Sequence, residues 1–380
     1  MIAACTASGC AVGLPEEPTN VTTSGVTLNA RVSTSSGGEV THWFRYGTSS
    51  SYGSETPPRT AEMAANSSRQ VSEPIPITAG TEYHWQVCTQ DDDEDPPRTN
   101  CSKDQTLYVG PVSCNPITRN TWVTNNLANC APSIGAAGIA LHLQGHTFGG
   151  VIQNNGFDGV TIEGGTVEGV LLTDARDNRV RDLTVIPEPG STTNALRVLG
   201  DSAGTVVADN ESYAVAIAML LNSPDLRVLR NTVSGIGLTS TDKEGPLVVQ
   251  GANNYLEGNR ATLEASDGIG RGIGKGSILI YGDGAVLVNN VANDSPTWGI
   301  VIMADNAQLI GNTANSNSQG LGSVGAGIQV QATSTSLRDN TANFNDGLGI
   351  EAPTGVTDLG GNRAQGNSNP LQCTGVVCQP

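Results

Sequence analysis

Leu287-Val288-Asn289-Asn290, Leu309-Ile310-Gly311-Asn312 and Leu337-Arg338-Asp339-Asn340 write one short pattern three times, an apolar residue followed closely by an asparagine. The pattern reaches back to Leu256-Glu257-Gly258-Asn259 and Leu229-Arg230-Asn231, and forward to Leu359-Gly360-Gly361-Asn362. With Asn178 and Asn210 counted as earlier members, the steps are 32, 21, 28, 31, 22, 28 and 22 residues. Self-similarity at such a period is the mark of a solenoid. A second recurring strand lies between the asparagines: Gly299-Ile300-Val301-Ile302, Gly327-Ile328-Gln329-Val330 and Gly349-Ile350-Glu351-Ala352. Two or three short strands per turn, without helices, predict an all-β right-handed parallel β-helix over residues 111–380. Asparagine tolerates the left-handed backbone of a turn better than most residues. Asn210, Asn231, Asn259, Asn290, Asn312, Asn340 and Asn362 are therefore expected to occupy that turn and to stack as a structural ladder.

Composition agrees with strands and excludes several classes of function. Of 380 residues, 47 are Gly and 32 are Asn, a density that breaks helices and favours turns. Nineteen Lys+Arg against 36 Asp+Glu leave a net charge of −17. A phosphate-tracking nucleic-acid binder needs a basic stripe and is excluded on that ground. No apolar run reaches the length of a spanning helix. The eight cysteines fall in close pairs, Cys5/Cys10, Cys88/Cys101, Cys114/Cys130 and Cys373/Cys378. An even, locally paired count with no Cys-x-x-Cys reads as disulfides in an oxidising compartment, extracellular or at a bacterial-type cell surface. Met1-Ile2-Ala3-Ala4-Cys5 has neither the charged nor the apolar region of a secretory leader, although Ile2-Ala3-Ala4-Cys5 resembles the end of a lipobox.

Residues 1–18 read as an N-terminal extension. Residues 19–110 alternate polar and apolar side chains in short runs, Val26–Val32, His42–Tyr46 and Thr81–Val87 among them, separated by Gly, Pro and Ser clusters. That spacing predicts a β-sandwich. Ile77-Thr78-Ala79-Gly80-Thr81-Glu82-Tyr83 resembles the tyrosine-corner region of fibronectin type III domains, which implies a spacer or recognition module. The acidic run Asp91-Asp92-Asp93-Glu94-Asp95 lies inside the Cys88/Cys101 pair. It reads as a solvated hairpin tip, with calcium at Asp91, Asp92, Asp93 and Asp95 as the one cofactor it could hold.

Leu141-His142-Leu143-Gln144-Gly145-His146-Thr147 and Asp158–Val167 resemble the opening coils of bacterial NosD-like parallel β-helix repeat proteins. The closing stretch, Asn345–Ile350 through Asn369–Cys373, resembles the same group. This resemblance, within the pectate-lyase-like superfamily, implies a substrate cleft walled by loops beside one strand column. Long steps carry insertions at one phase: Pro187–Gly190, Thr241–Gly245, Gly268–Gly276 and Gln319–Ser323. Lys243, Arg271 and Lys275 lie in them and are the candidate catalytic groups, since uronate cleavage needs a base and a cation for the carboxylate. The outward column beside these loops is read as Arg197, Ala218, Val248, Leu279, Val301, Gln329 and Glu351, with Tyr281 and Met303 two residues on.

That column is apolar at its centre, where enzymes of the superfamily carry acids, Arg or Lys. The Asp-Pro-His motif of alginate epimerases is absent, as are the Asn-Thr-Asp and Gly-His-Gly signatures of polygalacturonases. His142 and His146 are about 13 Å apart along a strand, too far to share a metal. The expected function is a secreted or cell-surface scaffold that binds polysaccharide or cell-wall glycan without catalysis. Val248, Leu279, Tyr281, Val301, Met303 and Gln329 would form its substrate or partner face, an apolar strip to be covered by the Gly-rich insertions folding back, by the fibronectin-like domain or by another molecule. The alternatives are a polysaccharide lyase or glycoside hydrolase acting on an acidic polysaccharide, and a self-associating extracellular fibre subunit.

Overall fold

The computed structural model describes residues 11–91, 98–188, 194–214, 217–236, 245–264, 276–318 and 325–380. Every regular element among them is a β-strand, and no helix is long and apolar enough to cross a membrane. The chain divides into two compact units, one running to Val112 and taking in Arg119–Asn125, the other formed by Ser113–Thr118 and Asn126–Pro380.

The first unit has two antiparallel sheets on one apolar core. Ala11–Thr19, Gly25–Thr34 and Ser67–Pro76 make one sheet. Gly38–Gly47 and Thr81–Asp91 centre the other. Leu28, Val32, Phe44, Trp85, Val87 and Leu107 are buried in the shared core. The expected N-terminal extension is corrected here, because Ala11–Thr19 is itself a strand. Pro15 and Pro18 disguise it, and it tolerates them because it is an edge strand, where a missing N–H breaks no inner ladder. The expected boundary at residue 111 also shifts. Thr121–Val123 returns to pair in parallel with Tyr108–Gly110. The Tyr83 hydroxyl accepts the Thr78 main-chain N–H at 3.0 Å. Cys88 and Cys101 are direct partners across an antiparallel pair and are bridged.

The second unit is a solenoid-like stack of parallel strands in three columns. The first column runs through Leu196–Leu199, Met219–Asn222, Leu247–Val249, Ile278–Ile280, Ile300–Ile302, Ile328–Val330 and Ile350–Glu351. The second includes Arg227–Leu229, Tyr255–Glu257, Val286–Val288, Gln308–Ile310 and Ser336–Arg338. The third passes through Thr232–Ile236 and Arg260–Glu264 and continues as bridges at Val291, Thr313, Thr341 and Arg363. Cys114–Cys130 and Cys373–Cys378 staple this unit. Cys5 and Cys10 lie outside the described residues.

Between the second and third columns stands a buried file of asparagines. Asn210 Nδ2 donates to Asn231 Oδ1, and the same bond repeats through Asn259, Asn290, Asn312, Asn340 and Asn362 at 2.9–3.1 Å. Each Oδ1 also accepts the main-chain N–H of the asparagine one coil earlier. Each Nδ2 also donates to a carbonyl of the preceding coil, as Asn290 does to Leu256 at 3.0 Å. An amide has two donors and two acceptor sites, and from Asn231 to Asn362 all are used. Two sequence readings are corrected. The left-handed residue is the one before the asparagine: Asp209, Arg230, Gly258, Asn289, Gly311, Asp339 and Gly361 all have φ between 53° and 73°. That residue turns the chain, which points the following amide inward. Asn178 belongs to another file, since it aligns with Thr205, while Leu183 precedes Asn210 in this one.

The file ends on Asp358, whose carboxylate accepts the Asn362 amide at 3.0 Å and the N–H groups of Gly360 and Val377. Burial pushes this carboxyl up, but the three donors outweigh it and hold the group below its ordinary value.

Two outcomes are expected. Asn290→Ala strips acceptors from Asn259 and a donor from Leu256 in a fully buried site, so unfolding by urea should register a loss of about 3 kcal/mol; a loss under about 1 kcal/mol would contradict the role given to the file. A carboxyl held low in the fold stabilises above its unfolded value, and that contribution disappears as pH falls through the lower, folded value. The protection of Gly360 and Val377 against hydrogen exchange, relative to an unstructured amide at the same pH, should therefore fall in acid in the parent, and Asp358→Asn should flatten that dependence.

Candidate functional site

In the first strand column the register sets Arg197, Leu220, Val248, Leu279, Val301, Gln329 and Glu351 in one row. Leu220 takes the place expected of Ala218. Ile217 precedes the strand, so Met219 and Leu221 hold the inward positions and Ala218 is buried before the strand begins.

Strand alternation gives these residues the face opposite Ile278, Ile280, Ile300 and Ile302, which are fully buried. Val248, Leu279 and Val301 are nevertheless 0%, 0% and 1% exposed. They form their own apolar cluster, packed by Ile217, Leu220, Tyr281, Trp298 and Met303. Strands covered on both faces read as unbroken apolar runs, and Ile278-Leu279-Ile280 is one. This corrects the expected substrate or partner face: its three central members are inside the protein and no ligand reaches them while the cluster is intact. Tyr281, Met303 and Gln329 keep part of their surface.

The row carries little chemistry. Its charged members, Arg197 and Glu351, stand six coils apart, roughly 29 Å at strand spacing. Glu351 is its only carboxylate and accepts from Gln329 Nε2 at 3.2 Å. Glycoside hydrolysis by the usual route needs two carboxyls within about 5–10 Å of each other, a pair this row does not supply. The indole N–H of Trp298 is buried without a hydrogen-bond partner among the described residues. Lys243, Arg271 and Lys275 lie outside the described residues, as do Asp92, Asp93 and Asp95. Asp91 is buried and accepts from the Ser36 hydroxyl at 3.3 Å.

A charged group occurs in the second column, where His142, Glu163 and Arg181 are register partners. His142 Nδ1 lies 2.6 Å from Glu163 Oε1, and the Arg181 guanidinium bonds the other carboxylate oxygen. Burial pushes the Glu163 carboxyl up, but its bonds and charges with His142 and Arg181 hold it below the ordinary value. A carboxylate so held is an ionic staple between coils, not a proton donor at neutral pH. His146 bonds Asn126 instead, 3.1 Å away.

Sequence reasoning missed two features. A second buried amide file runs Asn317–Asn345–Asn367 and ends on Gln372. A half-exposed row of hydroxyls and amides lies on the third column. Their signal was Asn at 315/317, 343/345 and Gln365/Asn367, two residues apart on successive coils. No family model, curated protein or solved structure matches the chain.

Leu279→Asp would bury a charge in an apolar cluster and should destabilise the protein by about 3–5 kcal/mol, measured by denaturant unfolding. A variant as stable as the parent would mean that Leu279 is open to solvent.

Proposed function

We propose that the protein is a non-catalytic, extracellular or cell-surface scaffold that binds polysaccharide. In this reading a fibronectin type III-like module precedes a right-handed parallel β-helix. The Tyr83–Thr78 hydrogen bond supports the first assignment, being the contact that defines a tyrosine corner. Parallel columns registered by one asparagine per coil support the second. Disulfides support an oxidising location.

One observation carries the non-catalytic part. The row read as the substrate face is apolar and buried at its centre, with its single Arg and single carboxylate at opposite ends. Acid–base chemistry on a sugar needs such groups together. A row packed in this way leaves recognition to half-exposed surfaces.

Incubation with a panel of acidic and neutral polysaccharides tests the reading. The expected result is retention on at least one insoluble or immobilised glycan with no release of reducing or unsaturated ends. Time-dependent release of either would establish an enzyme and overturn it.

A further inference from the structure

The third strand column presents a surface of a different kind. Its outward residues run from Tyr213 through Ser234 and Thr262 to Asn293, Asn315 and Asn343. All six are half-exposed and uncharged, in a chain of net charge −17. Between them, Ala292, Ala314 and Ala342 face inward and are fully buried. Small inward residues and a regular register keep the outward row straight, at one polar group per coil, about 4.8 Å apart.

The amides are held in one orientation. Asn293 Oδ1 accepts the Asn315 N–H at 2.8 Å, Asn315 Oδ1 accepts the Asn343 N–H at 2.7 Å, and Asn343 Oδ1 accepts the Gln365 N–H at 2.9 Å. With each oxygen engaged, each Nδ2 is left without a partner among the described residues, on a half-exposed side chain. Thr313 and Thr341 add a parallel file of half-exposed hydroxyls two residues away.

Beside Asn343 stands Phe344, 55% exposed and at φ 58°. A bulky residue is rarely held in the left-handed region. The same turn on neighbouring coils uses Asp294, Ser316 and Gly366, at φ 57°, 56° and 66°. A phenyl ring is thus displayed where the backbone favours a small or polar residue.

An apolar ring beside a straight file of fixed N–H donors and hydroxyls matches a polymer with apolar ring faces and hydroxyl edges. We infer that this face binds a neutral polysaccharide lying along the solenoid, with one sugar ring on Phe344 and its hydroxyls on the Asn315 and Asn343 amides. The inference rests on the polysaccharide-binding reading and names the class and the place. Neutrality follows from charge. A polyanion would need a cation on successive coils, whereas Arg260 and Arg363 stand apart with Val291, Thr313 and Thr341 between them. Each contact is weak, and the affinity comes from their repetition along the chain.

The test uses the whole protein on immobilised neutral glycans (β-glucan, xylan, mannan) and on alginate and polygalacturonate. Two variants accompany it. Asn315→Asp/Asn343→Asp keeps the oxygens that bond the next coil, removes the two donors and adds charge. Phe344→Gly removes the ring and suits the left-handed turn, so its melting temperature should not fall. Retention on a neutral glycan that drops about tenfold or more in both variants, with melting temperatures near the parent's, is expected. Equal retention of parent and variants would overturn the inference and leave the polysaccharide-binding reading intact. Retention on the acidic polymers alone would overturn the neutral class, and retention on none would overturn both readings.

Discussion

The asparagine file is the constraint on which the second unit depends. Every coil must turn between its second and third strands inside the protein, where unpaired N–H and C=O groups are costly. One inward amide per coil meets that need by bonding the coils on either side, and it does so only if all coils share one register. Strand pairing, inward alternation and the staggered files of side chains follow from that alignment. Fixing one corner also frees another. Coils of 21 and of 31 residues occupy equal steps of the file, and their extra residues fall between the third column and the first.

The same register decides which surfaces can recognise a ligand. In the first column it aligns Leu220, Val248, Leu279 and Val301, and their mutual contact makes a second apolar cluster outside the solenoid's interior. Burial on both faces makes those strands a packing element of the second unit. In the third column it aligns hydroxyls and amides, whose cost of desolvation is low because they stay half in water. A repetitive scaffold of this kind offers files of like groups, which suits a repetitive polymer better than a single small molecule.

The sequence displayed the repeat because the file demands asparagine at the same place in every coil. It did not display which residue turns left-handed. Asp, Arg, Gly and Asn all serve at that position, so no letter recurs there. Pro15 and Pro18 hid an edge strand, since proline is a poor strand former except where one side is unpaired. Placing Ala218 in the outward row was an error of two residues, made because Ile217 looks like the first inward residue of a strand that starts at Met219. That the strip around Leu279 would be covered was legible in its apolar letters, but alternation gives only the face a residue takes, and tertiary packing gives what covers it. The amide and hydroxyl row of the third column is written in Thr313-Ala314-Asn315 and Thr341-Ala342-Asn343, but Asn315 and Asn343 stand two residues before the buried Asn317 and Asn345, and the letters alone do not separate the half-exposed file from the buried one.

The way both amide files end bears on the choice between a binding scaffold and a fibre. A stack of coils grows by offering its last file to the next. Here Asn362 is closed by Asp358, and Asn367 by Gln372, whose amide also donates back to the Asn367 and Asn369 carbonyls. Each closing side chain comes from the same terminal coils and occupies the position a further asparagine would need. Stacking another copy onto this end would first break a carboxylate held by three donors. The exposed Leu371 and Val377 lie near this end, but the bond from Val377 to Asp358 ties that segment to the cap. For either amide file to continue into a further coil, the bonds that close Asn362 on Asp358 and Asn367 on Gln372 would have to be replaced.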